Sequence, residues 1–256
     1  MSYIPAIKIQ GFQNASGGTG TREATYGPAN SMWQRAPLLE ALQDPGGYHL
    51  FRQDFYHTDN TNEFTLVTDS GGTAAVSDIA GGVLTITNAA ADNDESYLSS
   101  KTEAWKFAAS KPLWFEARVK ASADNMIIGL SDTVAANSLQ DNGAGPMASY
   151  DGAVFYRGET ESWNFETSNA GTQVTSADGA DSTTDTYIRL GFIFDPNDGT
   201  TGKITPVIDG VVSAESVAHS ITLSGLEEMH IVFGCKNAAG VAATLLVDYV
   251  QVLAVR

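Results

Sequence analysis

The stretch Lys111–Lys120, KPLWFEARVK, decides the fold class of this chain. Its apolar positions alternate, and they are Leu113, Phe115, Ala117 and Val119. The positions between them are Trp114, Glu116, Arg118 and Lys120. A period of two over this length predicts a strand with one face in a core and the other toward water. The residues that follow, 121–130, read as a turn and a second apolar run, which predicts a hairpin partner.

Similar short segments, separated by turn residues, fill the rest of the chain from about residue 51. The clearest predicted strands are Phe51–Tyr56, Glu63–Thr68, Val83–Thr87, Gly152–Tyr156, Ser162–Thr167, Tyr187–Phe194, Lys203–Ile208, Met229–Cys235 and Leu245–Leu253. Asp209-Gly210 is a typical hairpin turn. Strands at this spacing, with almost no helix, predict an all-β fold of two packed antiparallel sheets.

Residues 1–50 do not follow this pattern, and we predict an extended N-terminal arm ahead of a β-sandwich at 51–256. Four prolines interrupt the segment, yet it is too apolar for a solvated tail, and such segments usually become ordered on another surface. The arm side chains that we expect to make these contacts are Ile4, Ile7, Ile9, Phe12, Tyr26, Met32 and Trp33. The sequence leaves open whether the arm wraps its own domain or contacts neighbouring subunits.

Composition and charge exclude several classes of function. The chain of 256 residues is 43% hydrophobic and 17% charged, which is typical of a folded globular protein. Its formal net charge of −16 disfavours direct binding of nucleic acid, because phosphates would be repelled. The sequence shows neither a signal peptide nor an apolar run that could span a membrane, so we expect synthesis in a cytoplasm. The single cysteine, Cys235, is expected to be a small buried apolar residue.

The order of the segments is similar to that of a known family. WFEARVK, IIGLSD, DGAVFYR, WNFETSNAG, TYIRLGFIFDP, GKITPVIDG and LLVDYVQV follow one another in the chain. Together they resemble the concanavalin A-like (laminin G-like) jelly-roll sandwich, over roughly residues 50–256. The IDG after a lysine-led strand and the closing LxVDYVxV resemble versions of this fold in tailed-phage virion proteins, which often carry an unrelated arm ahead of the sandwich.

The resemblance implies a non-enzymatic structural protein, most simply a capsid decoration (cement) protein that stabilises the shell through its arm. The implied partner is the major capsid protein, contacted by the arm residues named above or by a neighbouring subunit in a homo-oligomer, a dimer or trimer. The protein would be synthesised in the host cytoplasm and lie on the capsid exterior. The alternative is a carbohydrate-binding fibre or adhesin module, with Trp114, Tyr156 and Trp163 as the aromatic contacts.

Catalytic and metal sites are not expected. Glucanases of this fold carry Glu-x-Asp-x-Glu on one strand, and this chain has only Glu159 and Glu161 in a predicted hairpin loop. Glu116 is better interpreted as half of a surface charge pair with a neighbouring basic residue of its strand. The oxygen-rich runs 92–95 and 195–198 lack EF-hand spacing, and the four histidines lack zinc spacing. We therefore expect no catalytic residue, no metal and no cofactor.

Overall fold

The computed structural model describes residues 32–34, 36–56, 60–69, 71–122, 125–158, 162–180, 186–211, 217–237 and 240–256. The short helices are α1 (Leu38–Gln43) and α2 (Asn60–Glu63), with 3-10 turns at Met32–Gln34 and Asp141–Gly143. The strands are β1 (Tyr48–Gln53), β2 (Phe64–Thr68), β3 (Thr73–Ser77), β4 (Val83–Thr87), β5 (Glu95–Ser100), β6 (Leu113–Ala121), β7 (Asn125–Ser131), β8 (Gly152–Arg157), β9 (Trp163–Asn169), β10 (Thr172–Ala180), β11 (Ile188–Pro196), β12 (Thr201–Ile208), β13 (His219–Thr222), β14 (His230–Lys236) and β15 (Thr244–Val255).

These strands form two antiparallel sheets that pack as a sandwich, which confirms the predicted all-β architecture. Sheet A has eight strands in the order β13-β12-β11-β6-β15-β4-β3, with β1 also paired to β15. Sheet B has seven strands in the order β10-β9-β8-β7-β14-β5-β2. The first and last strands of sheet A are neighbours, since Tyr48 lies opposite Val255. No helix among the described residues is long and apolar enough to cross a membrane.

Strand β6 lies in the middle of sheet A, between β11 and β15. Its alternate apolar side chains are all fully buried, as the period of two predicts. Phe115 stacks on Phe192 of β11, with ring centroids 5.0 Å apart. Cys235 is buried in the same core, as expected of a small apolar residue. Burial of this continuous apolar layer between the sheets is the main term that stabilises the sandwich.

The other face of β6 is less exposed to water than the sequence predicts. Glu116 is only 3% exposed and accepts a hydrogen bond of 2.7 Å from the Tyr249 hydroxyl. Arg118 forms its ion pair with Asp248 of β15, not with Glu116. The interpretation of Glu116 as half of a surface charge pair is therefore wrong, because a periodic pattern assigns a side chain to a face but does not show what covers that face.

The hairpin turn predicted at Asp209-Gly210 is confirmed. Asp209 and Gly210 have φ of 52° and 78°, the left-handed pair of a tight hairpin turn. A bridge between Ile208 and Val211 closes this turn. Strand β1 begins at Tyr48, so sheet A starts three residues before the predicted boundary of the sandwich.

Candidate functional site

The outer face of sheet A carries the last part of the arm, which we call the arm base (residues 32–34 and 36–43). An apolar group joins the arm base to the sheet, and its buried members are Met32, Ala36, Ala41, Trp114, Val207 and Leu253. Met32 is fully buried, and its backbone N–H donates to the Gly210 carbonyl at 3.1 Å. The β12–β13 turn thus fixes the point at which the arm meets the sandwich.

Gly191 of β11 makes room for Met32. A Cβ atom at position 191 would lie 3.1 Å from the Met32 sulfur and 2.6 Å from the Phe115 carbonyl oxygen. The absence of a side chain therefore opens a slot in the outer face of sheet A into which the methionine packs.

The predicted arm contacts divide into two groups. Met32 is buried against its own sheet, so the expectation that it contacts a neighbouring subunit or a capsid is wrong for this side chain. Trp33 is half-buried and packs at the edge of the same group. The remaining candidates lie outside the described residues, and they are Ile4, Ile7, Ile9, Phe12 and Tyr26. The described residues 32–34 and 36–43 pack on sheet A of their own domain, as in the alternative in which the arm wraps its own domain.

The three aromatic residues predicted to contact a sugar do not come together. Trp114 is 7% exposed, since the arm base covers it, and it belongs to sheet A. Trp163 lies in sheet B and is fully buried in the core between the sheets. Tyr156 is half-buried on the outer face of sheet B, where its ring packs closely against Gly145. Stacking on a sugar requires an open aromatic face, which neither tryptophan offers.

The outer face of sheet B is covered by a different segment, the covering loop (residues 132–151), which joins β7 to β8. The buried apolar side chains of the contact are Tyr97, Ile127, Leu139, Tyr150, Val154 and Val232. The crevice beside Tyr150 and Met147 leaves no space wide enough for a water molecule, so the loop fills the face rather than framing a cleft.

Polar side chains of sheet B bind the backbone of the covering loop. The Glu95 carboxylate accepts the Asn137 N–H at 2.9 and 3.0 Å. The Tyr97 hydroxyl donates to Glu95 at 2.9 Å and accepts the Leu139 N–H at 3.0 Å. Lys236 contacts the same loop with its ammonium group, which is buried with Glu95. The loop is therefore held by specific hydrogen bonds as well as by apolar packing.

A second carboxylate, Glu166, lies under the other end of the covering loop. It accepts hydrogen bonds from the Tyr150 hydroxyl (3.0 Å), the Gln173 amide (2.9 Å) and the Thr175 hydroxyl (2.7 Å). Burial raises the pKa of Glu166, although these three hydrogen bonds act in the opposite direction. Among the described residues, no second acidic group raises the pKa of Glu166, whereas a retaining glycosidase site needs two carboxyl groups about 5–5.5 Å apart.

The other residues considered for catalysis or metal binding have local roles or cannot be assessed. Glu159 and Glu161 lie outside the described residues. Asp94 accepts the Ala91 N–H at 2.7 Å, and Asp198 accepts the Thr201 N–H at 2.7 Å, so both carboxylates cap turns. Within the described part of the chain, no group of three or more His, Cys, Asp or Glu side chains is placed to hold a metal ion.

The residues that hold the covering loop are not among those predicted from the sequence. A loop of about 20 residues between paired strands is unusually long, and such loops are often functional. The face of β14 opposite to its core residues carries Val232 and Gly234 before Lys236, which is too apolar for an open surface. These two features together are the signal that could have predicted a covered face.

Comparisons with known proteins agree with this fold. No protein-family model matches the chain, and no curated protein matches it. Peanut lectin is 13% identical with a TM-score of 0.56, over 81% of this chain and 97% of the lectin. An endo-1,3-β-glucanase from Streptomyces sioyaensis is 13% identical with a TM-score of 0.53, over 82% of this chain and 97% of the enzyme.

An endo-β-1,4-glucuronan lyase from the fungus Trichoderma reesei is 12% identical with a TM-score of 0.53, over 79% of this chain and 94% of the lyase. These neighbours confirm the concanavalin A-like jelly-roll fold. They include a lectin as well as enzymes, and at this identity a shared fold does not imply a shared function.

Proposed function

We propose that this protein is a non-enzymatic structural protein of a phage virion, a capsid decoration protein attached through its N-terminal arm. The observation that carries the proposal is the anchored arm base. Because Met32 and α1 pack on sheet A, residues 1–31 start from a fixed point on the sandwich surface. An anchored base supports attachment through the preceding residues, since less freedom is lost when they bind.

The charge of the arm supports an acidic partner. The first 22 residues contain Lys8 and Arg22 and no acidic residue, whereas the whole chain has a net charge of −16. Opposite charges favour encounter and correct orientation of two surfaces. The sandwich of a second copy is one such acidic surface, and an acidic region of the major capsid protein would be another. Burial of the arm's apolar side chains would then supply most of the affinity.

Non-enzymatic function is supported by the use of the buried carboxylates. Glu95 is 4% exposed and accepts hydrogen bonds from the covering loop. Glu116 accepts a hydrogen bond from Tyr249, and Glu166 accepts hydrogen bonds from three neutral donors. A general acid or nucleophile needs access to a substrate and, in glycosidases, a second carboxylate. In the described part of the chain these three groups hold elements of the fold together instead.

The test is removal of residues 1–31, a deletion that ends before Met32 so that the cover of Trp114 is kept. We expect the truncated protein to fold with an unchanged melting temperature and to lose binding to capsid shells and their stabilisation against heat. A matched full-length variant, with serine at positions 4, 7, 9 and 12, should lose binding as well. Val241→Ser, at an exposed apolar site elsewhere, should bind normally. Normal shell binding by the truncated protein would refute the proposal.

Carbohydrate binding by a fibre or adhesin is the second candidate, and the fold shared with peanut lectin favours it. Of the three predicted aromatic contacts, Tyr156 is the one that is half-buried on an outer face. A glycan array, followed by titration with wild type and Tyr156→Ala, tests this candidate. Affinity for a defined sugar that Tyr156→Ala abolishes would establish it, and an array without any hit would remove it.

A further inference from the structure

The ammonium group of Lys236 is placed where the covering loop crosses sheet B. The side chain is 1% exposed. Its Nζ lies 2.7 Å from Asp141 Oδ1 and 2.7 Å from Asn137 Oδ1. It also lies 3.1 Å from Glu95 Oε2 and 3.1 Å from the Leu139 carbonyl oxygen. Three of these four oxygens belong to the covering loop, and one belongs to β5.

The donor set resembles the surroundings of a bound cation more than those of a simple ion pair. An ammonium group has three N–H donors, and here it is within 3.1 Å of four oxygens. Two are carboxylate oxygens, one is an amide oxygen and one is a backbone carbonyl oxygen. These are the oxygen types that hard cations such as calcium use in proteins. The positive charge therefore gathers oxygens from two segments of the chain around one point.

The neighbouring hydrogen bonds depend on that charge. In its buried position beside the ammonium, Glu95 accepts hydrogen bonds from the Asn137 N–H and the Tyr97 hydroxyl. A buried carboxylate without a compensating cation is strongly unfavourable. If the ammonium were removed, Glu95 would be left buried without a compensating charge, and we expect the loop to open so that water solvates it. The loop, the carboxylate and the ammonium therefore form one unit.

We propose that Lys236 is a built-in cation that latches the covering loop onto sheet B, in the role that a bound metal ion would otherwise fill. The covering loop then closes this face without a bound ion. When the latch is broken, the apolar outer face becomes accessible at Tyr97, Ile127, Val154 and Val232. The latch is independent of the arm, so the proposal stands or falls separately from capsid binding.

The test is Lys236→Ala in the full-length protein, with Lys203→Ala, at an exposed lysine, as the matched control. Hydrogen exchange is measured at the Asn137 and Leu139 amides, whose N–H groups bind sheet B. We expect exchange at these amides to accelerate by at least about tenfold in Lys236→Ala and to stay unchanged in Lys203→Ala. Propylammonium chloride, which restores the missing group, should slow exchange again, and tetramethylammonium chloride, which lacks N–H donors, should not.

Unchanged exchange in Lys236→Ala, or equal effects of the two salts, would overturn the proposal. If Lys236→Ala does not fold, two further variants decide. The double variant Glu95→Gln/Lys236→Ala removes both charges and should recover folding, because no charge is left buried without a partner. Asn137→Ala removes one oxygen from the latch and should accelerate exchange at Leu139, whereas Ser149→Ala in the same loop should not. Failure of both expectations would show that packing alone holds the loop.

Discussion

The two outer faces of the sandwich are both covered by the chain itself, and they are covered by different means. On sheet A the arm base packs through apolar side chains around Trp114, with one backbone hydrogen bond from Met32. On sheet B the covering loop combines an apolar contact with the ionic latch at Lys236 and the carboxylate of Glu166. The arm base is held by apolar contact, whereas the covering loop is also bound directly by buried charged side chains of sheet B.

The difference teaches how each cover should respond to change. Apolar burial is roughly proportional to area, so the cover of sheet A should weaken in steps as methylene groups are removed. Removal of one partner of a buried ion pair costs much more free energy, because the remaining charge is left without compensation. The cover of sheet B should therefore fail abruptly at a few positions and tolerate change at the others.

The largest effect on the cover of sheet A is expected from Trp114→Ala. Removal of a buried aromatic side chain costs about 3–5 kcal/mol of unfolding free energy, because a cavity remains beneath Met32. Urea denaturation measures the loss, and limited proteolysis should show cleavage within residues 36–43. Leu42→Ala, at a site of α1 that is 71% exposed, is the control and should change neither measurement. A Trp114→Ala protein of unchanged stability, with an arm base that resists proteolysis, would show that Trp114 does not hold the cover of sheet A.

Gly191→Ala should have a smaller effect on the same face. The new Cβ would approach the Phe115 carbonyl and the Met32 sulfur, and overpacking of this kind costs about 1–3 kcal/mol. Urea denaturation of Gly191→Ala in the background of Met32→Ala separates the two contacts. The glycine substitution should cost less in that background. An equal cost in both backgrounds would assign the whole effect to the β6–β11 pairing.

Acidity should distinguish the covers, since the buried members of the apolar group on sheet A carry no acidic side chain. Burial raises the pKa of Glu166 above its usual value of 4.5. Its stabilising contribution is therefore complete below that pH and is lost as the pH rises through the raised value. Relative to Glu166→Gln, the wild type should lose unfolding free energy as the pH rises above 4.5. A wild type that gains stability over this range relative to the variant would contradict the prediction.

The smallest effect is expected for an ion pair at the surface. Lys106 and Glu228 are 2.9 Å apart, and their side chains are 40% and 50% exposed. Solvent screens such a pair, so Lys106→Ala should change the unfolding free energy by less than about 1 kcal/mol. Urea denaturation in low and high salt measures the loss of unfolding free energy in Lys106→Ala, which is then compared with the loss in Lys236→Ala. A loss as large as that of Lys236→Ala would show that burial does not decide the strength of the ion pairs in this protein.

The sequence predicts the fold because the alternation of apolar residues and the chemistry of the turns agree. KPLWFEARVK places Phe115 in the core, and Asp209-Gly210 forms the predicted turn, since both depend on short-range rules. The sequence does not predict what lies on the outer faces. Trp114 and Glu116 are on the expected face of β6 and are buried there by segments distant in the chain. Periodicity contains no information about such non-local contacts.

The candidate site is predicted less well than the fold for the same reason. The composition of residues 1–50 predicts that they order on a surface, and the arm base does so. The covering loop has mixed composition and no period, so its attachment to Glu95, Tyr97 and Lys236 follows only from three-dimensional placement. The proposed capsid contacts of the arm stay predictions.

The pairing of β1 with β15 has a consequence for biosynthesis. Tyr48 lies opposite Val255, so the two strands are separated by almost the whole sandwich in sequence. On the ribosome, β1 cannot complete its pairing with β15 before residue 255 has left the exit tunnel. Contacts between residues so far apart in sequence also form slowly. The nascent chain therefore leaves β1, β4 and β6 without their pairing to β15 until β15 has emerged. Its excess negative charge would keep neighbouring nascent chains apart during that interval.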